Sequence, residues 1–477
     1  MKAITSRVFI SSLSCFILLQ SLWLLACGSS VLRSEYKDYP WPPSLTPQPP
    51  QPNQDDDTLI FVSLSGGGTR AATMSWKTLE ELEKIDYTYK DKNGKIVQSN
   101  LAAEIDYISG ISGGSFAAAA WCLYQKDTKI RSMKTFREDF IEKNIEGKLA
   151  KKRYLQPWRL LFESRSVTAA KFYNSQVFKN ATFGDLLPHP VLWIHATHLA
   201  LGRRFTYSTY GLKKDFVFVQ ADLSRYPVGY ACAASSAFPI LLSPITLINY
   251  DKGKPMNLMQ DVDYEIADLN RRAYVEKDMY CKTRDFYNDP SNKYIHLVDG
   301  GLVDNQGLKS IIDEFETNGI INTRLNDQDH PLKRLIIINV NAGVASEDTS
   351  AKSKKAPGIP VVVKYTMTTS MNILSAERWT KIKDLCNKVN QDRIALRERT
   401  PSWAQLEMPY TIEISFRNII DGGDREKCRN LPTSFSLNKT KIALIDRVVP
   451  TLIEEDPDLQ RLKEKLLQEA NEYRSDN

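Results

Sequence analysis

The stretch that decides the fold reads Ile105-Asp106-Tyr107-Ile108-Ser109-Gly110-Ile111-Ser112-Gly113-Gly114-Ser115-Phe116. Its first four residues form a short, mostly apolar run that predicts a buried strand. Residues 110–114 match G-x-S-x-G, a sharp turn that carries a serine from a strand into a helix. The apolar residues 116–124 predict that helix. The stretch therefore predicts an α/β protein in which the hydroxyl of Ser112 projects freely as a candidate nucleophile.

A second strand-to-helix unit begins earlier in the chain. Residues 59–64 form an apolar run, the loop Ser65-Gly66-Gly67-Gly68-Thr69-Arg70 follows, and a helical pattern covers residues 70–85. Three consecutive glycines expose backbone N–H groups that can bind an oxyanion or a phosphate. A P-loop would end in Gly-Lys-Ser/Thr, and a full G-x-G-x-x-G fails at Ala71. An oxyanion loop is favoured over a nucleotide-binding loop, which stays the alternative. Arg70 either holds the loop, meets a phosphate head group, or forms a structural salt bridge.

A carboxylate follows the apolar run of residues 294–298, in the sequence Asp299-Gly300-Gly301. Open α/β sheets build their sites at the carboxyl ends of strands. Buried beside a serine, Asp299 would accept the hydroxyl proton, provided that desolvation raises its proton affinity. Taken alone, Asp-Gly-Gly is usually just a turn.

The order of elements predicts the architecture. Strands alternating with helices favour a mostly parallel central sheet with helices on both faces. Further candidate strands are residues 191–197, 216–219 and 335–340. The main domain is expected at residues 58–345. Residues 346–477 are expected to form a mainly helical C-terminal extension, either packed on the main domain or separate from it, and the alternating residues 410–416 to add an edge strand.

Taken together, the glycine loop, the serine turn and Asp299-Gly300-Gly301 resemble the patatin-like phospholipase family over residues 58–308. The resemblance implies a three-layer sandwich and a Ser–Asp dyad without a catalytic histidine. Ser112 would be the nucleophile, Asp299 the base, and Gly66, Gly67 and Gly68 the oxyanion loop. It also implies a lipid acyl-ester substrate, of phospholipase A or lysophospholipase type, and no cofactor. Residues 233–239 look like a family segment near the site, whereas Ala71 and residues 195–199 depart from the family pattern.

Two rival functions remain open at this point. A Ser-His-Asp esterase of the α/β-hydrolase type needs a histidine after its acid, and His330 follows Asp299 in a polar stretch. A non-catalytic lipid-binding lipoprotein would keep the fold without turnover. The other histidines lack metal-ligand spacing, so no metal is expected.

The N-terminus has the pattern of a targeting signal. Lys2 and Arg7 precede the almost wholly apolar residues 8–26, and Leu24-Leu25-Ala26-Cys27 resembles the lipobox of bacterial lipoproteins. Residues 1–26 are therefore expected to be a signal peptide, and Cys27 to carry lipid at the mature N-terminus. An uncleaved anchor helix and simple secretion are the alternatives. Residues 27–57, which are proline-rich between 39 and 54, would form a tether. Gly28 favours the outer membrane, facing the periplasm or the exterior of a bacterial cell envelope.

Charge and cysteine content exclude some partners. The net charge is +6, and removing Lys2 and Arg7 with the signal leaves +4. That excess is too small, and too evenly spread, for nucleic-acid binding. Cys122 and Cys232 are expected to be buried thiols. Cys386 and Cys428 lie in polar sequence, where a disulfide in an oxidising periplasm is one expectation.

Overall fold

The computed structural model describes residues 57–475 apart from short gaps. The gaps are residues 92, 126–132, 149–163, 187–188, 209–214, 216–218, 220–222, 240–241, 250–273, 317–318, 328–331, 345–353, 355 and 401–404. The strands are β1 Thr58–Leu64, β2 Asp86–Lys90, β3 Ile96–Asn100, β4 Tyr107–Ile111, β5 Val191–His198, β6 Arg203–Ser208, β7 Ile245–Ile248, β8 Tyr294–Asp299, β9 Arg334–Asn341 and β10 Tyr410–Ser415.

Helices cover most of the remaining described chain. They are α1 Gly68–Leu82, α2 Gly113–Gln125, α3 Met133–Phe136, α4 Arg165–Phe172, α5 Val228–Ser235, α6 Tyr274–Asn288, α7 Gly301–Asp304, α8 Leu308–Glu316, α9 Ile320–Leu325, α10 Ile359–Arg399, α11 Gly422–Arg429, α12 Lys439–Glu455 and α13 Pro457–Ser475. Shorter turns are Arg137–Ile141, Tyr173–Val177, Phe183–Asp185, Leu223–Arg225 and Phe416–Asn418.

The central sheet has the strand order β10-β9-β1-β4-β5-β8-β7, and β6 also pairs with β5. The strands from β10 to β5 are parallel to one another, whereas β6 and β8 are antiparallel to β5. Strands β2 and β3 form a separate antiparallel hairpin. Every residue of β1, β4, β5 and β9 is buried, as expected for strands covered on both faces.

Alternate residues of the strands enter different cores, because successive side chains point to opposite faces. Ile60 and Val62 join a large core with helices α1, α2, α12 and α13. Leu59 and Phe61 join a smaller core with α8 and α10. The molecule is therefore a three-layer sandwich with a mostly parallel sheet, which confirms the predicted fold class.

The C-terminal region completes the sheet. Strand β10 pairs with β9 at the sheet edge, so the edge strand predicted at residues 410–416 is confirmed. Arg334, at the start of β9, is buried and forms salt bridges at 2.9 Å with Glu407 and with Glu469 of α13. The two carboxylates compensate the buried guanidinium and tie α13 to the start of β9.

The disulfide between Cys386 and Cys428 that the sequence left open is not formed, because both residues are buried and free. Cys386 belongs to the smaller core and Cys428 to the larger one. The sheet therefore separates the two thiols. Their polar sequence neighbours conceal that each cysteine faces inward from its own helix. Cys122 and Cys232 are buried thiols, as predicted.

Two other predictions fall largely outside the described residues. Of the candidate strand 216–219, only Val219 is described, and it is helical. The signal, Cys27 and the proline-rich tether precede residue 57, so they lie outside the described range. From residue 57 onward, no described helix is both long and apolar enough to cross a membrane.

Candidate active site

The serine turn joins β4 to α2. Ser112 follows the last residue of β4 and adopts φ of 46°, a left-handed conformation that strains a residue with a side chain by about 1–2 kcal/mol. The turn needs glycine where other backbone approaches closely. A Cβ at Gly110 would lie 2.6 Å from the Ser115 Cα, and one at Gly113 would lie 2.0 Å from the Gly68 carbonyl oxygen.

Two hydroxyl groups hold this strained turn. The Ser112 N–H donates to the Ser235 Oγ at 2.8 Å, and the Ser235 hydroxyl donates to the His195 carbonyl at 2.6 Å. The Ser115 hydroxyl donates to the Ser112 carbonyl at 2.6 Å. The backbone of the candidate nucleophile is therefore tied to β5 through Ser235, at the end of α5.

Strand register brings Asp299 to the same level of the sheet as Ser112. Ile111 of β4 pairs with His195 of β5, and the next β5 residue, Ala196, pairs with Asp299 of β8. Sequence reasoning placed Asp299 at the carboxyl end of a strand in a mostly parallel sheet. Strand β8 instead runs antiparallel to β5, so Asp299 approaches from the opposite direction and stops level with the serine turn.

The surroundings of Asp299 favour its neutral form. The residue is 4% exposed, and burial raises its pKa to about 7, opposed by hydrogen bonds from the Gly301 N–H and the Ser112 hydroxyl. The Gly301 N–H donates to Oδ1 at 2.7 Å. A carboxyl group with a pKa near 7 is poised to exchange a proton with a hydroxyl group at neutral pH.

The backbone N–H groups of the three loop glycines differ in whether they have an acceptor within the protein. The Gly66 N–H donates to the Asn305 carbonyl at 2.8 Å, so that group is engaged within the protein. Within the described chain, no acceptor receives the N–H of Gly67 or Gly68. Both have positive φ, 141° and 63°, and a Cβ at Gly68 would lie 2.3 Å from the Ser434 carbonyl oxygen. Of the three glycine N–H groups, those of Gly67 and Gly68 are therefore available to a ligand in the described structure.

Arg70 is a buried cation beside this loop. Its Nη1 donates to the Leu431 carbonyl at 2.7 Å, whereas its buried Nε has no hydrogen-bond partner in the described structure. A Cβ at Gly67 would lie 2.9 Å from the Arg70 Nη2. Burial lowers the Arg70 pKa to about 10. No described carboxylate forms a salt bridge with it, so the interpretation of Arg70 as a structural salt-bridge residue finds no support.

Three of the described histidines, His195, His198 and His296, have structural hydrogen-bond partners. His195 is buried, and its ring nitrogens contact the hydroxyl groups of Thr206, Ser109 and Ser310. Burial lowers the pKa of His198 to about 4, which keeps it neutral at physiological pH. His330 lies outside the described residues. Among the residues that are described, no cluster of His, Cys, Asp or Glu has the makings of a metal site.

Sequence reasoning missed two residues that shape the site. It noted residues 233–239 as a segment near the site but did not assign Ser235 to the Ser112 N–H. Asn305 was not singled out, although its carbonyl receives the Gly66 N–H and its Oδ1 would lie 2.7 Å from a Cβ at Gly301. Asn305 follows Asp299-Gly300-Gly301 closely in the chain, and that proximity was the available signal.

The fold and these motifs define the class of α/β protein with a strained serine turn facing a buried aspartate. A family model described as patatin-like phospholipase matches residues 62–312, more than half of the 477-residue chain. The chain belongs to the patatin-like phospholipase family. No curated relative matches it by sequence.

Several solved structures are similar to the chain at low identity. Human GIVD cytosolic phospholipase A2 matches with a TM-score of 0.41 and 13% identity, covering 87% of this chain and 63% of that one. A complex of the same human protein with methyl gamma-linolenyl fluorophosphonate matches with a TM-score of 0.31 and 15% identity, covering 60% of this chain and 40% of that one. VipD from Legionella pneumophila matches with a TM-score of 0.28 and 12% identity, covering 83% of this chain and 68% of that one. The chain thus spans less than two thirds of the human protein's length.

Proposed function

We propose that this protein is a lipid acyl-ester hydrolase of phospholipase A or lysophospholipase type, acting through Ser112 and Asp299. One observation carries the proposal: a buried carboxyl group with a pKa raised to about 7 interacts with the hydroxyl of a serine held at φ of 46°. Membership of the patatin-like phospholipase family supports the choice of a lipid ester.

The proposed reaction is acyl transfer in two steps. Asp299 takes the hydroxyl proton of Ser112 as its Oγ attacks the ester carbonyl carbon, and the N–H groups of Gly67 and Gly68 stabilise the tetrahedral oxyanion. The carbon–oxygen bond to the alcohol breaks, and Asp299 returns the proton to the leaving oxygen. Water then attacks the acyl carbon and gives a proton to Asp299. The bond from that carbon to the Ser112 Oγ breaks, Asp299 returns the proton to Oγ, and the fatty acid is released. This proton path needs no imidazole and no cofactor.

Arg70 favours a phosphate-bearing substrate over a neutral ester. Its buried guanidinium has an unpartnered Nε in the described structure and lies against Gly67. A buried cation without an anion is unfavourable unless a ligand supplies one. The phosphate of a phospholipid or lysolipid would supply that charge, and phosphate recognition is a common role of arginine.

We further propose that the protein is a lipid-anchored component of a bacterial cell envelope. Cys27 would carry the lipid after removal of residues 1–26, and residues 27–57 would hold the catalytic domain at residues 58–345 away from the bilayer. Two acyl chains give stable attachment, whereas one anchors only marginally. Mass spectrometry of the native N-terminus tests this proposal. An intact Met1, or an unmodified mature Cys27, would defeat it without touching the catalytic proposal.

An ester panel tests the catalytic proposal. Ser112→Ala and Asp299→Asn should each lower hydrolysis of long-chain phospholipid and lysolipid at least about a hundredfold, the scale of losing a nucleophile or general base. The rate of the parent protein should rise with pH through about 7, as Asp299 loses its proton. His330→Ala should stay within severalfold of the parent. If His330→Ala abolished turnover in a folded protein, a Ser-His-Asp triad would replace the Ser112–Asp299 dyad. If neither the parent nor any variant hydrolysed an ester, a non-catalytic lipid-binding protein would be favoured.

A further inference from the structure

Helix α10 passes beside the turn that carries Asp299. A Cβ added at Gly301 would lie 2.7 Å from the Met371 Cε. About two turns further along the helix, Arg378 donates to the Val303 carbonyl and forms a salt bridge at 2.9 Å with Asp304. The inner face of α10 is therefore fixed to the turn that positions the candidate base.

The opposite face of the same segment is exposed and uncharged. Val362, Thr366, Thr369 and Ile373 follow the spacing that places residues on one side of a helix, and all four are exposed. The side chains of Val362 and Ile373 are 46% and 54% exposed. At a rise of 1.5 Å per residue, these four residues form a stripe about 16 Å long. We call these four residues the outer stripe of α10.

The charge of this part of the sequence has one sign. Residues 349–376 contain four lysines and no arginine, aspartate or glutamate. Lys354, just before the helix, is exposed. Exposed apolar side chains on one helix face, here Val362 and Ile373, combined with nearby lysines are typical of segments that bind the surface of a membrane containing anionic lipids. The charge pattern therefore complements an anionic lipid surface.

We propose that the outer stripe of α10 binds an anionic lipid surface and so brings the Ser112–Asp299 site to its substrate. The inference rests on the proposed function, because the site gains from lipid contact only if its substrate is a lipid. The position of this helix segment supports the proposal. Met371 contacts the Gly301 turn from one face of α10, and Ile373 lies on the opposite, exposed face. The occupant is the membrane that presents the ester, with no protein partner required.

Two isoleucines on α10 provide a matched pair of variants. Ile373 belongs to the outer stripe, and Ile394, 53% exposed, lies about 30 Å further along the helix. In vesicles of phosphatidylglycerol and phosphatidylcholine, Ile373→Glu should lower lipid hydrolysis by about tenfold or more, since it removes an apolar contact and adds a repelled charge. Its rate on a monomeric short-chain ester should stay within about twofold of the parent. Ile394→Glu should leave both rates unchanged.

Two results of this comparison would overturn the proposal that the outer stripe binds lipid. Unchanged vesicle hydrolysis by a folded Ile373→Glu protein would overturn the proposal. An equal loss on vesicles and on the monomeric ester would also overturn it, because the residue would then act on the active site through Met371. Ile373→Ser, which adds no charge, should give a smaller loss on vesicles and checks that the glutamate does not simply unfold the helix.

A footprinting experiment separates this inference from the proposed catalytic activity. The full-length Ser112→Ala chain is treated with hydroxyl radicals, with and without phosphatidylglycerol vesicles, and oxidation is located by mass spectrometry. Oxidation at Val362 and Ile373 should fall severalfold with vesicles, while oxidation at Ile394 should not change. Equal oxidation at Ile373 with and without vesicles would refute the lipid contact. If protection occurred but the parent hydrolysed no ester, the proposed function would fail and the lipid contact would stand.

Discussion

Replacing Asp299 by asparagine should stabilise the fold while abolishing turnover. The carboxyl group is buried, and its pKa rises from 3.8 to about 7 because burial disfavours the charged form. In the unfolded chain the same group ionises near its ordinary value. The folded protein therefore pays a penalty at neutral pH to hold an ionised carboxylate next to Ser112.

The sign of the effect follows from proton binding. Between pH 4 and pH 7 the folded state binds the Asp299 proton more tightly than the unfolded state, so stability falls as pH rises through this range. The loss is complete above pH 7. A change in pKa from 3.8 to about 7 corresponds to roughly 4 kcal/mol, which is a ceiling for the gain. Asparagine keeps an oxygen for the Gly301 N–H but not the charge, so a gain of at least about 1 kcal/mol is expected at pH 8.

Thermal unfolding at pH 8 and pH 4 measures this difference. Asp299→Asn should unfold at a higher temperature than the parent at pH 8, and the two should converge at pH 4, where Asp299 is protonated in the folded state. Asp285→Asn is the matched control, because that side chain is 69% exposed, and it should change neither value. A lower unfolding temperature for Asp299→Asn at pH 8 would refute the reasoning, because it would show that the carboxylate stabilises the fold.

Two further predictions concern the loops around the nucleophile. Gly68→Ala should lower both stability and ester hydrolysis, because its Cβ would lie 2.3 Å from the Ser434 carbonyl oxygen. Gly94 also has a positive φ but has open space around it, so Gly94→Ala should destabilise the fold by only about 1 kcal/mol and leave activity intact. Equal effects of the two variants on activity would contradict this prediction. Ser235→Ala should lower kcat more than it changes KM, because the N–H of Ser112 loses its acceptor. The neighbouring Ser236 is also buried, but its hydroxyl donates only within its own turn, so Ser236→Ala should keep the parent's kcat. A Ser235→Ala enzyme with the parent's kcat would show that Ser235 does not position the nucleophile.

Local patterns predicted much of the fold because each carried its own physical signal. Residues 105–124 combined a buried apolar run, small turn residues and an apolar helix, and the structure follows with β4 and α2. The alternating residues 410–416 likewise predicted β10 at the sheet edge. Nothing in these patterns depends on contacts with distant parts of the chain.

Features that depend on distant contacts were not predictable from the sequence. The antiparallel direction of β8 follows from its pairing with β5 and β7, not from any residue within β8. The engagement of the Gly66 N–H depends on Asn305, far along the chain. Cys386 and Cys428 appeared pairable because polar neighbours in sequence do not reveal which core a buried face joins.

Acylation of Ser112 during turnover can be observed by mass spectrometry of an acid-quenched reaction. The protein is mixed with a long-chain lysophospholipid, quenched during the first turnovers, and digested. We expect a peptide containing Ser112 that is heavier by one fatty-acyl group, and no such peptide from Asp299→Asn on the same time scale. Turnover by the parent without acylation of Ser112, or with acylation at another residue, would show that Ser112 is not the nucleophile.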